Sequence, residues 1–306
     1  MLVKRLLLGP VLVLVAAFVA WLDGALGAAA AESGSALLAR WVPGSVYGLL
    51  GALGAAAGAV ELARLQRLKG VPASPIVTAV AAVAGLASVA AAGRFAQPGD
   101  GAVLLTTAGV ATLLVAVLHY GRDQRPDGML EELSGVLLSF VFIGAQLGLY
   151  VAMRAEHSSW TVLWLVLTVK SCDIGAFVTG RGIGKNRLAA WISPGKTWEG
   201  FAGGVVMSSA VGGIGVWVLA QSGGGVELPI WVGAVIGGAL GVTGQVGDLM
   251  VSLLKRDAGA KDAGSSLPGF GGVLDVLDSL LLAGPVGFWL LRLAVVQAAA
   301  IGSSGG

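Results

Sequence analysis

Residues 244–278 read GQVGDLMVSLLKRDAGAKDAGSSLPGFGGVLDVLD, the densest polar stretch of the chain. Between 248 and 278 lie five acids and three bases. Asp248 opens the series, Lys255 and Arg256 follow one to two turns later, and Lys261 and Asp262 come next. A Pro268-Gly269 turn and Gly271-Gly272 then lead to Asp275 and Asp278. In a helix, i, i+3 spacing puts those last two carboxylates on one face, near the favourable end of the helix dipole. Carboxylate oxygens suit Mg²⁺, which is usually held by one or two carboxylates and substrate phosphates. Lysine and arginine suit polyphosphate oxygens, and glycine lets a backbone approach them closely. Taken singly, each residue reads as an ordinary first-turn acid or a topology anchor. Taken together, they read as a site.

A second cluster, 173–204, is DIGAFVTGRGIGKNRLAAWISPGKTWEGFAGG. Asp173 lies in an apolar stretch, and Arg181, Lys185, Arg187 and Lys196 follow in a glycine-containing loop with Ser193-Pro194. This is either a phosphate-binding loop or a loop whose bases only fix topology. A Walker loop is excluded. Ahead of Gly195-Lys196-Thr197 the required earlier glycine falls on Ala190; after Gly184-Lys185 stands Asn186, with Thr179 at the earlier position. Cys172, the single cysteine, permits no internal disulfide and reads as a small packing residue. His119 and His157 show no metal-ligand spacing, and Gln146 is placed to bond across helices.

The surroundings of these clusters are apolar. Of 306 residues, 56% are hydrophobic and 12% charged, with mean hydropathy +0.86. A soluble domain carries about 25% charged residues, and spanning a bilayer takes about 20 apolar residues per helix. The apolar runs are continuous rather than alternating, which disfavours a membrane barrel. The expected fold is therefore all-α: a polytopic integral membrane protein of about nine transmembrane helices. The segments fall near 6–22, 44–63, 74–92, 102–119, 133–153, 159–179, 199–220, 229–252 and 273–298. The first also has the outline of a signal peptide, but its apolar run from Leu6 to Leu22 is long for one, which favours a retained helix.

Basic residues set the expected orientation. Fourteen lie in one alternating set of loops, which contains Lys4, Arg5, Arg64, Arg67, Lys69, Arg122 and Arg125 as well as both clusters. Four (Arg40, Arg94, Arg154 and Arg292) lie on the other side. This places the N-terminus and the charged loops in the cytoplasm and the C-terminus outside, in a cell inner membrane. Residues 1–158 keep nearly all their charges in loops, with Glu61 near a helix end. Residues 159–306 place Lys170, Asp173 and Asp248 within or beside apolar segments. Ionisable groups at such depth are expensive and face a partner, a cavity or a metal. The expected division is thus N-terminal helices, 1–158, and a catalytic core, 159–306.

The motifs resemble those of phosphatidate cytidylyltransferase, the CDP-diacylglycerol synthase family. The resemblance rests on Ser252, Lys255, Arg256, Lys261, Asp262, Pro268, Gly271, Gly272, Asp275 and Asp278. Upstream it rests on Asp173, Gly180-Arg181, Gly184-Lys185, Ser193-Pro194 and Lys196-Thr197-Trp198-Glu199-Gly200. It covers about one third of the chain; the first 150 residues match only in hydropathy. The chain departs from the pattern at Phe270 (histidine in the family), Val276 (arginine) and Gly195 (lysine). The resemblance implies that CTP and phosphatidic acid give CDP-diacylglycerol and pyrophosphate, with Mg²⁺ held by Asp248, Asp275, Asp278 and Asp173. It also implies catalytic roles for Lys255, Arg256, Lys261 and Asp262. Phosphate contacts would come from Arg181, Lys185, Ser193, Lys196, Ser252, Gly271 and Gly272. Membrane lipids and a second copy of the chain are the implied partners, and no nucleic acid is. A CTP-dependent lipid kinase, an isoprenoid-lipid cytidylyltransferase, a transporter and an inactive paralogue remain as alternatives.

Overall fold

The computed structural model describes residues 2–94, 99–123, 127–222, 226–267, 269 and 271–304. Arg125, Pro268 and Phe270 lie outside the described residues. Among those described, nine helices are long and apolar enough to cross a membrane. The described residues are all-α apart from one small hairpin, in line with the continuous apolar runs. In order the helices are α1 (Leu2–Glu32), α2 (Ala36–Trp41), α3 (Ser45–Leu68), α4 (Pro75–Ala92), α5 (Asp100–Tyr120), α6 (Met129–Leu138), α7 (Gln146–Glu156), α8 (Ser159–Ile183), α9 (Trp198–Gln221), α10 (Ile230–Asp257) and α11 (Leu274–Ser304). Strands β1 (Arg187–Ala189) and β2 (Ser193–Thr197) pair antiparallel between α8 and α9.

Caps mark several starts. Ser74 Oγ accepts the Val77 amide ahead of Pro75, a residue preorganised for the first helical position. Ser158 Oγ accepts the Thr161 amide at α8, and Thr197 Oγ1 accepts the Gly200 amide at α9. Thr197 thus closes β2 and opens α9 within one residue.

The chain divides into two compact units. The first comprises Met1–Gly9, Ala25–Ala155 and Leu253–Leu277; the second Pro10–Gly24, Glu156–Ser252 and Asp278–Gly306. The first therefore takes the 253–277 segment together with the N-terminal helices, and α10 and α11 each contribute residues to both.

In the first unit α4 packs against a π-helical segment, Ser139–Ala145, that joins α6 to α7. Gly85 faces the Phe140 carbonyl and Gly144 faces the Ala82 carbonyl, so closely that neither site has room for a Cβ. Val77, Ala81, Ala116, Tyr120, Val136 and Phe140 form a buried cluster beside it. Gln146, expected to bond across helices, instead donates from Nε2 to the Val141 carbonyl five residues back, at 3.1 Å. The wide π turn leaves that carbonyl within its reach.

In the second unit α8, α9 and α10 meet through small residues. Gly212 faces Gly233 and Gly237, Gly237 faces the Ser208 carbonyl, and Gly175 faces Gly203 and Gly204. The Trp164 indole donates to the Gly212 carbonyl at 3.1 Å. Lipid tails are as apolar as leucine, so close backbone approach is the main source of helix association in a bilayer.

We expect Gly144→Ala to destabilise the protein by about 1–3 kcal/mol through overpacking against the α4 backbone. Gly182→Ala, where a Cβ meets nothing within 4 Å, should be neutral. Thermal unfolding in detergent reads both.

Candidate active site

The second unit brings together side chains from α8, β2, α10 and α11. Lys170 and Asp173 share a face of α8, with Nζ 3.7 Å from Asp173 Oδ2. The same ammonium donates to Ser279 Oγ at 2.7 Å and lies 4.0 Å from Asp278 Oδ1. Asp278 is buried, and its Oδ1 also accepts the Ser279 amide. Lys196, carried in by β2, pairs with Asp248 Oδ2 at 2.8 Å and reaches the Gln245 carbonyl at 3.5 Å. Ser252, one turn on along α10, donates to Asp248 Oδ1 at 3.3 Å. Asp173 and Asp248 both act electrostatically on Asp278. Small residues allow this convergence: a Cβ at Gly247 would stand 2.5 Å from the Asp278 carbonyl oxygen, and one at Gly244 3.1 Å from Val169.

The result is three aspartates interleaved with two lysines. Carboxylate and hydroxyl oxygens are hard donors and suit Mg²⁺, so the donor chemistry fits a divalent cation. Among the described residues, no three Asp, Glu, His or Cys groups stand at ready-made metal-ligand spacing. In this arrangement the compensating positive charge comes from the ammonium groups of Lys170 and Lys196.

The first unit holds the rest of the acidic and basic series. Asp275, in the first turn of α11, has both oxygens engaged. Oδ1 meets Lys255 Nζ at 2.6 Å, and Oδ2 accepts the Ala263 and Gly272 amides at 2.9 and 2.8 Å. Lys255 and Asp275 are both largely buried. Gly271, at φ +91°, is in the left-handed region, and a Cβ there would stand 2.7 Å from Asp275 Oδ2. Glycine is thus required twice over at this position, for conformation and for approach. Asp275, expected beside Asp278 as a metal ligand, here holds the Ala263 and Gly272 amides and Lys255.

Arg181 ends α8, Lys185 follows it, and Ser193 lies in β2; the two bases are exposed and Ser193 is half-buried. The loop expected over 181–197 is therefore partly a hairpin. Glu199 secures its base by accepting the Lys185 and Asn186 amides, each at 3.2 Å. Arg256, Lys261 and Asp262 are exposed, and Arg256 donates to the Ala260 carbonyl at 3.2 Å. Gly272 is buried against Glu61.

Two participants were not among the sequence-derived site residues. Lys170 carried a signal, an ammonium within an apolar segment three residues from Asp173. Glu61 also carried one, a carboxylate within the second apolar segment, but its partners lie about 200 residues away and no local pattern points to them. His157, between α7 and α8, is partly buried; burial lowers its pKa, with Glu156 opposing.

Residues 27–294 match the model of the cytidylyltransferase family. The chain belongs to the cytidylyltransferase family. Its relatives include a phosphatidate cytidylyltransferase from Bacillus subtilis, 35% identical over 165 residues, or 53% of this chain and 60% of the relative. Another, from Synechocystis, is 41% identical over 125 residues, 40% of each chain. A third, from Staphylococcus epidermidis, is 32% identical over 199 residues, 65% of this chain and 73% of the relative. The chain thus spans about half the length of several curated relatives it matches. The two polar clusters and the glycines between them lie inside the stretch common to the family.

Removing one partner of a buried ion pair leaves the other charge uncompensated and costs about 3–5 kcal/mol. Lys255→Met should therefore lower stability by that order, whereas Lys261→Met, on the exposed part of the loop, should change it by less than about 0.5 kcal/mol. Denaturation of both variants in detergent separates the two roles.

Proposed function

We propose that this protein transfers the cytidylyl group of CTP to phosphatidic acid, giving CDP-diacylglycerol and pyrophosphate. The observation that carries the reading is the constellation of Lys170, Asp173, Lys196, Asp248 and Asp278 in a membrane-spanning member of the cytidylyltransferase family. Such a site suits a reaction in which a lipid-borne phosphate meets a charged nucleotide.

The phosphatidate oxygen attacks the α-phosphorus of CTP. The bond from that phosphorus to the bridging oxygen breaks, and pyrophosphate leaves with the electron pair. A phosphate monoester is already anionic near neutral pH, so no strong base is needed. Catalysis is mostly positioning and neutralisation of charge. Lys196, on the tethered hairpin strand, and Lys170, oriented by Ser279, are suited to phosphate oxygens. Each holds an ammonium that exchanges a carboxylate partner for a phosphate one. We propose Arg181 and Lys185, in the same unit, as further phosphate contacts, and for Arg256 and Lys261 the roles that the resemblance implies. Asp248, Asp278 and Asp173 would hold Mg²⁺, which supplies charge screening at the triphosphate when bound. We place the charged loops on the cytoplasmic side of a cell inner membrane, where CTP is present, and propose a second copy of the chain as partner.

Purified protein in detergent with phosphatidic acid, labelled CTP and Mg²⁺ should form CDP-lipid. Chelation should stop the reaction and Mg²⁺ restore it. Asp248→Asn and Asp278→Asn should each lower turnover by about 100-fold or more, the usual scale for losing a group that stabilises developing charge. Absence of product from phosphatidic acid, or a phosphorylated lipid formed from diacylglycerol instead, would overturn the reading. For orientation, Ser265→Cys on the exposed loop should react with a membrane-impermeant maleimide in inside-out vesicles and not in right-side-out ones.

A further inference from the structure

The buried carboxylate of Glu61 has no place in the reaction above, yet it is among the most heavily engaged acids of the first unit. It sits on α3, 5% exposed. Its Oε1 accepts Ser266 Oγ at 2.7 Å and the Val273 amide at 3.0 Å, while Oε2 accepts the Leu274 amide at 2.8 Å. Gly264 and Gly272 press against the same carboxylate, and neither position has room for a Cβ. One turn along α3, Arg64 donates to the Ala263 carbonyl at 2.7 Å. The loop that carries Lys261 and leads into α11 is thus gripped at both ends from a helix about 200 residues earlier.

Two consequences follow from these bonds. The first amides of α11 have no intrahelical acceptor, and Glu61 supplies one through space with the charge sign that the helix N-terminus favours. The serine and amide donors also tie Ser266, Val273 and Leu274 to α3. Asp275 closes the same loop from within by accepting the Ala263 and Gly272 amides.

We propose that Glu61 is a positioning residue: it anchors Ser266, Val273 and Leu274 to α3, so that the loop they belong to is preformed for the nucleotide's phosphates. The proposal rests on the cytidylyl-transfer reading for its kinetic arm and on the geometry alone for its structural arm. A preformed loop spares CTP the cost of ordering it, so the loss should fall on nucleotide affinity.

The experiment compares full-length wild type, Glu61→Gln and Glu61→Ala in detergent. Peptide-level hydrogen exchange should show residues 263–274 opening about tenfold faster or more in Glu61→Ala, with α9 unchanged. The KM for CTP should rise by about fivefold or more while the KM for phosphatidic acid stays within about twofold. Glu61→Gln, which keeps the shape and one acceptor oxygen, should recover part of both effects. A merely structural role would lower the active fraction and leave both KM values unchanged. Unchanged exchange overturns the proposal, as does faster exchange with an unchanged KM for CTP. Should wild type form no CDP-lipid, the proposed activity fails, and the exchange measurement still decides whether Glu61 holds the loop.

Discussion

Every acidic group in the membrane-spanning core that bears on the proposed chemistry has to be compensated by a specific partner. Asp275 and Asp278 are buried, and an unpaired buried charge is costly. Here the compensation is made by lysine and by backbone amides. Lys170 serves Asp173 and Asp278, Lys196 serves Asp248, and Lys255 serves Asp275. This requirement dictates the packing around it. Carboxylates on one helix and ammonium groups on another meet only if the backbones come close, which explains the small residues at Gly175, Gly204, Gly244 and Gly247. It also dictates the hairpin, because Lys196 reaches Asp248 from a strand that is anchored at its base by Glu199.

The two aspartates of α11 illustrate how neighbours acquire different duties. Asp275 and Asp278 are one turn apart and chemically identical. Asp275 is saturated by Lys255 and two amides, all from its own loop and the end of α10. Asp278 has one amide and a lysine at 4.0 Å. The first is committed to holding backbone. The second has the looser shell and is the better placed of the two to exchange partners during a reaction.

The fold was largely legible from the residues. Continuous apolar runs of bilayer length marked the spans, and their ends agree with the helices to within several residues, α1 being the main extension. The site was legible in its composition but not in its pairings. The Asp275/Asp278 spacing, the Lys-Arg pair and the glycine turn are local patterns, and each stands where a helix or turn requires. Which lysine meets which aspartate depends on helix packing, which no local period encodes. The hairpin was missed because Arg187–Thr197 shows no alternation of apolar and polar residues. Gln146 was misjudged because a π turn brings a carbonyl five residues back within its own reach.

The grip of Glu61 on the loop spans 212 residues to Val273. During synthesis the N-terminal helices emerge and insert long before that loop exists. Until then the carboxylate on α3 has no serine or amide to accept, and it must stay hydrated or borrow a temporary neighbour. Its position two turns from the end of α3, rather than at mid-helix, makes that wait tolerable. Final maturation of the loop is therefore a late folding event, and a chain truncated before residue 264 would leave Glu61 without its serine and amide donors.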